Sequence, residues 1–395
     1  MKLGSIIIYL LLFLFTANLN AVIIRGESRE QLKNTEHKYA KKVGLIVAWN
    51  NNSNKSVSCS ASNIDPKYAI TAAHCLIDIV NAKPYDNIVY KPRYLGEGKI
   101  SPSKIFVTEI HVPRKYQKEN QKLLFQPTVS LSSITAPMIA NDIAVFKIFS
   151  DREQKYVGEN YGWYGVQSNK HLFKKEDIVD IHISSYPSDK KKHTLWYEEC
   201  FAISDNRYYN YSNIGKTNCD IKKGASGAGV VDSELYLSGV VSAESEKTEI
   251  NNIALITEGM LKEIINIKSG LSNNNKIFEK IKIDTEKTFS FYVKNQCNKT
   301  VNVAIRFKND KNEKWEIYKS NNIKPNDKTR ELPTSKNIYY YFTAKTKDNS
   351  LVWYDPNSNF SAKVFGDELR FFKKKASLEK PYLWGDWESS INCPN

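Results

Sequence analysis

A serine at position 226 sits in the run Asn218-Cys219-Asp220-Ile221-Lys222-Lys223-Gly224-Ala225-Ser226-Gly227-Ala228-Gly229. A hydroxyl that attacks a carbonyl needs the substrate close to the backbone, and small residues on both sides permit that approach. The carbonyl oxygen turns negative during attack and needs N–H donors aimed at it. The main chain of Gly224 and Ser226 can supply them. A Gly-x-Ser-Gly frame is also common as a plain turn between strands, so the serine takes its meaning from what lies upstream. There, Tyr68-Ala69-Ile70-Thr71-Ala72-Ala73-His74-Cys75 ends a strand-like run in small residues, a histidine and a cysteine. Further on, Ile139-Ala140-Asn141-Asp142-Ile143-Ala144-Val145-Phe146-Lys147-Ile148 sets an acid directly before an apolar strand. A histidine can take the serine's proton, and a carboxylate at the mouth of a strand can hold that histidine in one tautomer. Alone, each has a plainer reading: a solvated turn acid, or a buried histidine beside a buried thiol.

Together they occur in the order His74, Asp142, Ser226, with gaps of 68 and 84 residues. At this point the sequence resembles the chymotrypsin-like serine peptidases, through Thr71-Ala72-Ala73-His74-Cys75, Asn141-Asp142-Ile143-Ala144-Val145 and Gly224-Ala225-Ser226-Gly227. It looks closest to the secreted bacterial branch that includes the glutamyl endopeptidases, where a Cys-Asp pair like Cys219-Asp220 and a Tyr-Pro pair like Tyr186-Pro187 precede the serine. The resemblance covers roughly residues 22–268. It implies Ser226 as nucleophile, His74 as general base and then acid, Asp142 as its orienter, and the amides of Gly224 and Ser226 as an oxyanion hole. It implies hydrolysis of a protein or peptide substrate through an acyl-enzyme, without cofactor. No Cys/His cluster has zinc-ligand spacing, and no metal is expected. Two rivals remain open: a silent binding protein on the same fold, and a peptidase that cuts only itself or one dedicated partner.

Ala225 departs from trypsin-type zymogens, which carry an aspartate there to pair with the new N-terminus. Activation by that ion pair is therefore not expected. Specificity is less legible. Asp220, six residues before Ser226, resembles the pocket-floor carboxylate of trypsin-like enzymes and favours a basic side chain before the cut bond. Its alternative role is structural, hydrogen-bonded to backbone. Ser242 and Glu244 fall on the strand expected to line the pocket, while Lys222 and Lys223 argue for an acidic substrate residue. The balance leans slightly to basic.

These residues need β-rich scaffolding, and short strand-like runs bounded by turn signals recur from Val43 to Ser242. Residues 80–135 show no helical period, and 151–175 read as a loop-rich excursion. Ile250–Lys268 carries apolar residues at helical spacing and reads as a closing helix. The expected fold is an all-β, chymotrypsin-like double β-barrel with that helix, spanning 22–268, then a linker at 269–281. A smaller β-sandwich-like accessory domain of unknown role follows over 282–395. It resembles a small bacterial β-domain through Asn295-Gln296-Cys297, Val301–Ile305 and Trp315, with a targeting or substrate-docking role as the functional expectation. Its aromatics, among them Tyr339-Tyr340-Tyr341, Trp353, Trp384 and Trp387, read mainly as core.

Residues 1–21 have the charged start, apolar run and small terminal residue of a secretory signal, with cleavage after Ala21. The chain is thus expected to be secreted or periplasmic, touching a membrane only if that segment stays uncleaved. Export suits the even count of 6 cysteines. Cys59 and Cys75, 16 apart, would tie two strands beside His74, a loop whose closure contributes roughly 3 kcal/mol. Cys200 would pair with Cys219, and Cys297 with Cys393. Of 395 residues 41% are hydrophobic, enough for sizeable cores, and the net charge of +14 favours acidic partners in general. The basic residues are scattered apart from Lys190–Lys192 and Lys373–Lys375, so no nucleic-acid binding is expected. A monomer is expected.

Overall fold

The computed structural model describes residues 27–33, 37–51, 56–95, 105–126, 128–129, 133–148, 157–204, 211–243, 251–271, 275–283, 289–309, 312–329, 335–375 and 385–394. The signal segment, Glu244 and Trp384 lie outside them, as does the side chain of Trp387. Among the described residues no helix is long and apolar enough to cross a membrane.

Two curved antiparallel sheets carry the first two thirds. One pairs in the order Phe278–Lys282, Glu109–Pro113, Ala144–Lys147, Tyr68–Thr71, Ser56–Asn63, Val43–Trp49, Asn87–Pro92, Ile105–Phe106. In the other, Trp196–Ser204, Ile178–Ser185, Gly229–Val231, Tyr236–Ala243, Asn251–Leu255 and Ile214–Thr217 close into a ring, because the last pairs back onto the first. Closure leaves no free edge in that six-strand barrel. Strands such as Ala144–Lys147 and Asn251–Leu255 are buried almost throughout, which is why they show continuous apolar runs rather than strict alternation. Ala144, Val145 and Phe146 join a core that includes Leu45, Ile70, Tyr90 and Val240, whereas Ile253 and Leu255 join a second core with Ile181, Val230 and Val241. The all-β, double-barrel class expected from the sequence is what the chain adopts.

Three expectations are corrected. Residues 80–135 do contain a helix, Arg114–Leu123, which buries only Tyr116, Asn120 and Leu123 and so shows little apolar period. The run Ile250–Lys268 is not one helix. Asn251–Leu255 is a fully buried strand, and the helix begins at Glu258, capped where the Thr257 side chain accepts from the Met260 amide. Finally, the last part of the expected linker is strand Phe278–Lys282, paired with Glu109–Pro113, and Phe278 is only 1% exposed. The Glu263 carboxylate holds this return by accepting from the amides of Lys276, Ile277 and Phe278.

Beyond it the chain is strand-rich. A sheet pairs Trp315–Ile323, Val301–Lys308, Tyr339–Thr346 and Val352–Trp353, with Phe372–Lys375 also on Tyr339–Thr346. Phe289–Asn295 runs parallel to Gly385–Ile391. Val303, Ile305, Phe307, Tyr340 and Phe342 form a separate core there. All three expected disulfides are formed: Cys59–Cys75, Cys200–Cys219 and Cys297–Cys393.

Candidate active site

Strand Tyr68–Thr71 ends in a short helical turn, Ala73–Cys75, that carries His74. The bridge from Cys75 to Cys59 ties this turn to the neighbouring strand Ser56–Asn63. Asp142 leads into strand Ala144–Lys147, which pairs with the strand preceding His74. The pairing brings acid and imidazole together although 68 residues separate them. His74 Nδ1 lies 2.7 Å from Asp142 Oδ2, and the His74 amide donates to Oδ1 over 3.0 Å. A carboxylate accepts only, so Nδ1 carries the proton and Nε2 is left basic. Asp142 is fully buried and His74 is 4% exposed.

A further donor reaches the carboxylate. Ser242 Oγ donates to Asp142 Oδ2 over 2.6 Å. Ser242, expected on the pocket-lining strand, has its hydroxyl buried against the acid. Asp142 therefore accepts three hydrogen bonds, one from the His74 amide, one from its ring and one from Ser242.

Ser226 comes from the second barrel and is half-buried. Its carbonyl accepts from the Ser60 amide over 2.8 Å, and Cys75 Sγ lies 3.7 Å from the same oxygen. The loop bearing the serine thus rests on the strand and turn that position His74. Two glycines make the contact achievable. A Cβ on Gly227 would fall 2.0 Å from Thr71 Oγ1, and one on Gly224 would fall 2.2 Å from the Tyr186 carbonyl oxygen. Both residues have positive φ, +81° and +89°. Among the described residues no hydrogen bond joins Ser226 Oγ to His74, a bond that in unliganded sites often tightens only when substrate binds. The amides of Gly224 and Ser226 find no protein acceptor among the described residues, which leaves two N–H groups at the candidate oxyanion position.

Sequence reasoning missed Ser60. Its hydroxyl accepts from the Tyr186 amide over 3.0 Å and donates to the Gly224 carbonyl over 2.8 Å, holding the peptide between Gly224 and Ala225. Nothing local marks it, since Ser56, Ser58 and Ser62 share its strand.

Asp220 is placed differently from a pocket floor open to substrate. Its carboxylate accepts from Ser28 Oγ over 3.0 Å and from the Ser28 amide over 3.4 Å, and the residue is 3% exposed. The Asp220 amide donates to both oxygens of buried Glu198, whose Oε1 also lies 2.8 Å from Ser28 Oγ. Burial pushes the Glu198 carboxyl up to about 7, against the pull of these hydrogen bonds. The segment around Ser28 is held in turn by Arg29, which pairs with Asp189 and Glu27, and by Glu30–Gln31 pairing with Tyr197 and Trp196. The groups around Asp220 are thus occupied by the chain's own N-terminal stretch. Lys222 is half-buried and Lys223 exposed. Among the described residues, the clusters with metal-ligand geometry, around Cys59 and Cys75 and around Cys200 and Cys219, have those cysteines tied up in disulfides.

The sequence matches the family described as Trypsin over residues 33–260, more than half of the chain. No curated protein matches it. Among solved structures it is similar to a Glu endopeptidase, at 19% identity and a TM-score of 0.47, covering 63% of this chain and 100% of the other. It is similar also to the protease Anisep from Arthrobacter nicotinovorans, at 17% identity and a TM-score of 0.47, covering 61% and 99%. A scabies mite inactivated protease paralogue is similar at 15% identity and a TM-score of 0.42, covering 62% and 100%. Likeness at this level says nothing of substrate.

Proposed function

The chain belongs to the trypsin family, and from that premise we propose that it is an exported serine endopeptidase acting through Ser226, His74 and Asp142. The observation that carries this reading is the buried Asp142–His74 pair, 2.7 Å apart, with the carbonyl of half-buried Ser226 3.7 Å from the sulfur of Cys75, the residue next to His74. In the proposed reaction His74 Nε2 takes the Ser226 hydroxyl proton as Oγ bonds to the substrate carbonyl carbon. The carbonyl oxygen, now negative, receives hydrogen bonds from the amides of Gly224 and Ser226. Imidazolium beside Asp142 then gives the proton to the leaving nitrogen as the C–N bond breaks. Water repeats the sequence on the ester and frees Ser226. Three disulfides suit an oxidising compartment. Residues 1–21 are the proposed export signal, and protein or peptide chains the substrate class.

A fluorophosphonate probe tests the reading. The full-length chain should be labelled at Ser226, and Ser226→Ala should abolish labelling. A folded chain that takes no label under conditions that label trypsin overturns it.

A further inference from the structure

Resting on the peptidase reading, the geometry points to a second selectivity: we propose that the leaving-group side of the cleft prefers acidic residues just after the cut bond. The two flanks of Ser226 are built differently. On one side lies strand Tyr236–Ala243, whose Val241 carbonyl accepts from the Gly227 amide and whose Ser242 reaches under His74 to Asp142. On the other lie the Cys59–Cys75 bridge and strand Ser56–Asn63. The acyl portion stays on Ser226. The departing portion receives its proton from His74, whose turn is bridged to strand Ser56–Asn63, and in this proposal its chain runs off over that flank.

That flank is basic. Ser58, next to Cys59, meets His193 with Oγ 3.3 Å from Nε2. His193 lies edge-on to Tyr94, whose ring also carries the Lys91 ammonium at 5.1 Å. His193 closes the run Lys190-Lys191-Lys192, of which Lys191 and Lys192 are exposed. The loop carrying this run is joined to the oxyanion loop where the Ser188 amide donates to the Lys223 carbonyl over 2.7 Å. Lys222 and Lys223 therefore border the same ground. The acids of this region are already engaged. Asp189 pairs with Arg29, and Glu27 pairs with both Arg29 and Lys190. A substrate carboxylate leaving past His74 would meet Lys191, Lys222 and Lys223, while the described acids of the same loops, Asp189 and Asp220, are engaged by Arg29 and Ser28.

The test is a digest of a proteome-derived peptide mixture by the full-length protein, scoring residues on both sides of each cut. Asp and Glu should outnumber Lys and Arg just after the bond by about fivefold, as expected of several exposed charge pairs. The bias should shrink in about 0.5 M salt. Lys191→Glu combined with Lys222→Glu and Lys223→Glu should invert the ratio, which is internal to each digest and does not depend on overall rate. Should that variant not fold, acyl-enzyme partitioning in the unaltered protein supplies the same reading, with Asp-Asp-amide as acceptor expected to outcompete Lys-Lys-amide. Cleavage with equal use of acids and bases, or equal partitioning, overturns this proposal and leaves the peptidase standing. No cleavage together with no fluorophosphonate labelling overturns both.

Discussion

Ser242 and His74 donate to one and the same oxygen, Asp142 Oδ2, over 2.6 and 2.7 Å. The serine hydroxyl stands between the second barrel and an acid of the first, and it takes one lone pair so that the imidazole is steered to the other. Ser242→Ala removes a hydrogen bond to a buried charge. The peptide hydrolysis rate, kcat/KM, should fall about ten- to a hundredfold. Asp142→Asn should cost more, about 10⁴, because the wrong tautomer of His74 is then favoured. Steady-state kinetics on a single good peptide will rank the two, and equal losses would contradict the assigned roles.

Ser60 tests whether the loop carrying Gly224 and Ser226, the proposed oxyanion donors, needs support from the first barrel. Ser60→Ala leaves the Tyr186 amide without an acceptor and frees the Gly224 carbonyl. An unsatisfied buried donor costs about 1–3 kcal/mol, so the thermal midpoint should drop measurably. Beyond stability, kcat should fall with KM nearly unchanged, because the misplaced group acts on the transition state. A fall in stability alone would make Ser60 purely a packing residue.

Gly224→Ala should be inactive. Its Cβ would press on the Tyr186 carbonyl oxygen, and alanine is strained at φ +89°. The rate of fluorophosphonate labelling reports the loss directly, and wild-type labelling of this variant would move the oxyanion hole elsewhere.

Glu198 makes stability fall with rising pH. Burial places its carboxyl at about 7 in the folded chain against the ordinary 4.5. The acid form is the one the fold tolerates, so its stabilisation is fully present below about pH 4.5 and is lost as pH rises through 7. The span amounts to about 3 kcal/mol. Urea unfolding of the Ser226→Ala chain, which cannot digest itself, should show this decline from pH 4.5 to 7, and Glu198→Gln should flatten it.

How far the sequence could be read follows from how local each signal is. His74, Asp142 and Ser226 each carry a short motif because each must sit at a strand end or turn with small neighbours. The two-barrel class followed from the same runs. Ser60, Ser28 and Glu198 act through partners more than 100 residues distant, or through a burial that no neighbour in sequence announces. Asp220 shows the limit of position as a guide, since its place before Ser226 says nothing of Ser28 filling its carboxylate. The helix Arg114–Leu123 was hidden by a face of lysines and glutamines. Asn251–Leu255 reads as helix from the sequence because a strand buried on both faces loses its two-residue rhythm.

The return of residues 278–282 to the first barrel, after the helix that follows the second, works as a belt. It buckles the half of the molecule that carries His74 to the half that carries Ser226. A chain shortened at Lys268 would keep His74, Asp142 and Ser226 yet lose Phe278 from the core and the clasp at Glu263. Its halves would drift, and hydrolysis would slow without any change to the chemistry itself.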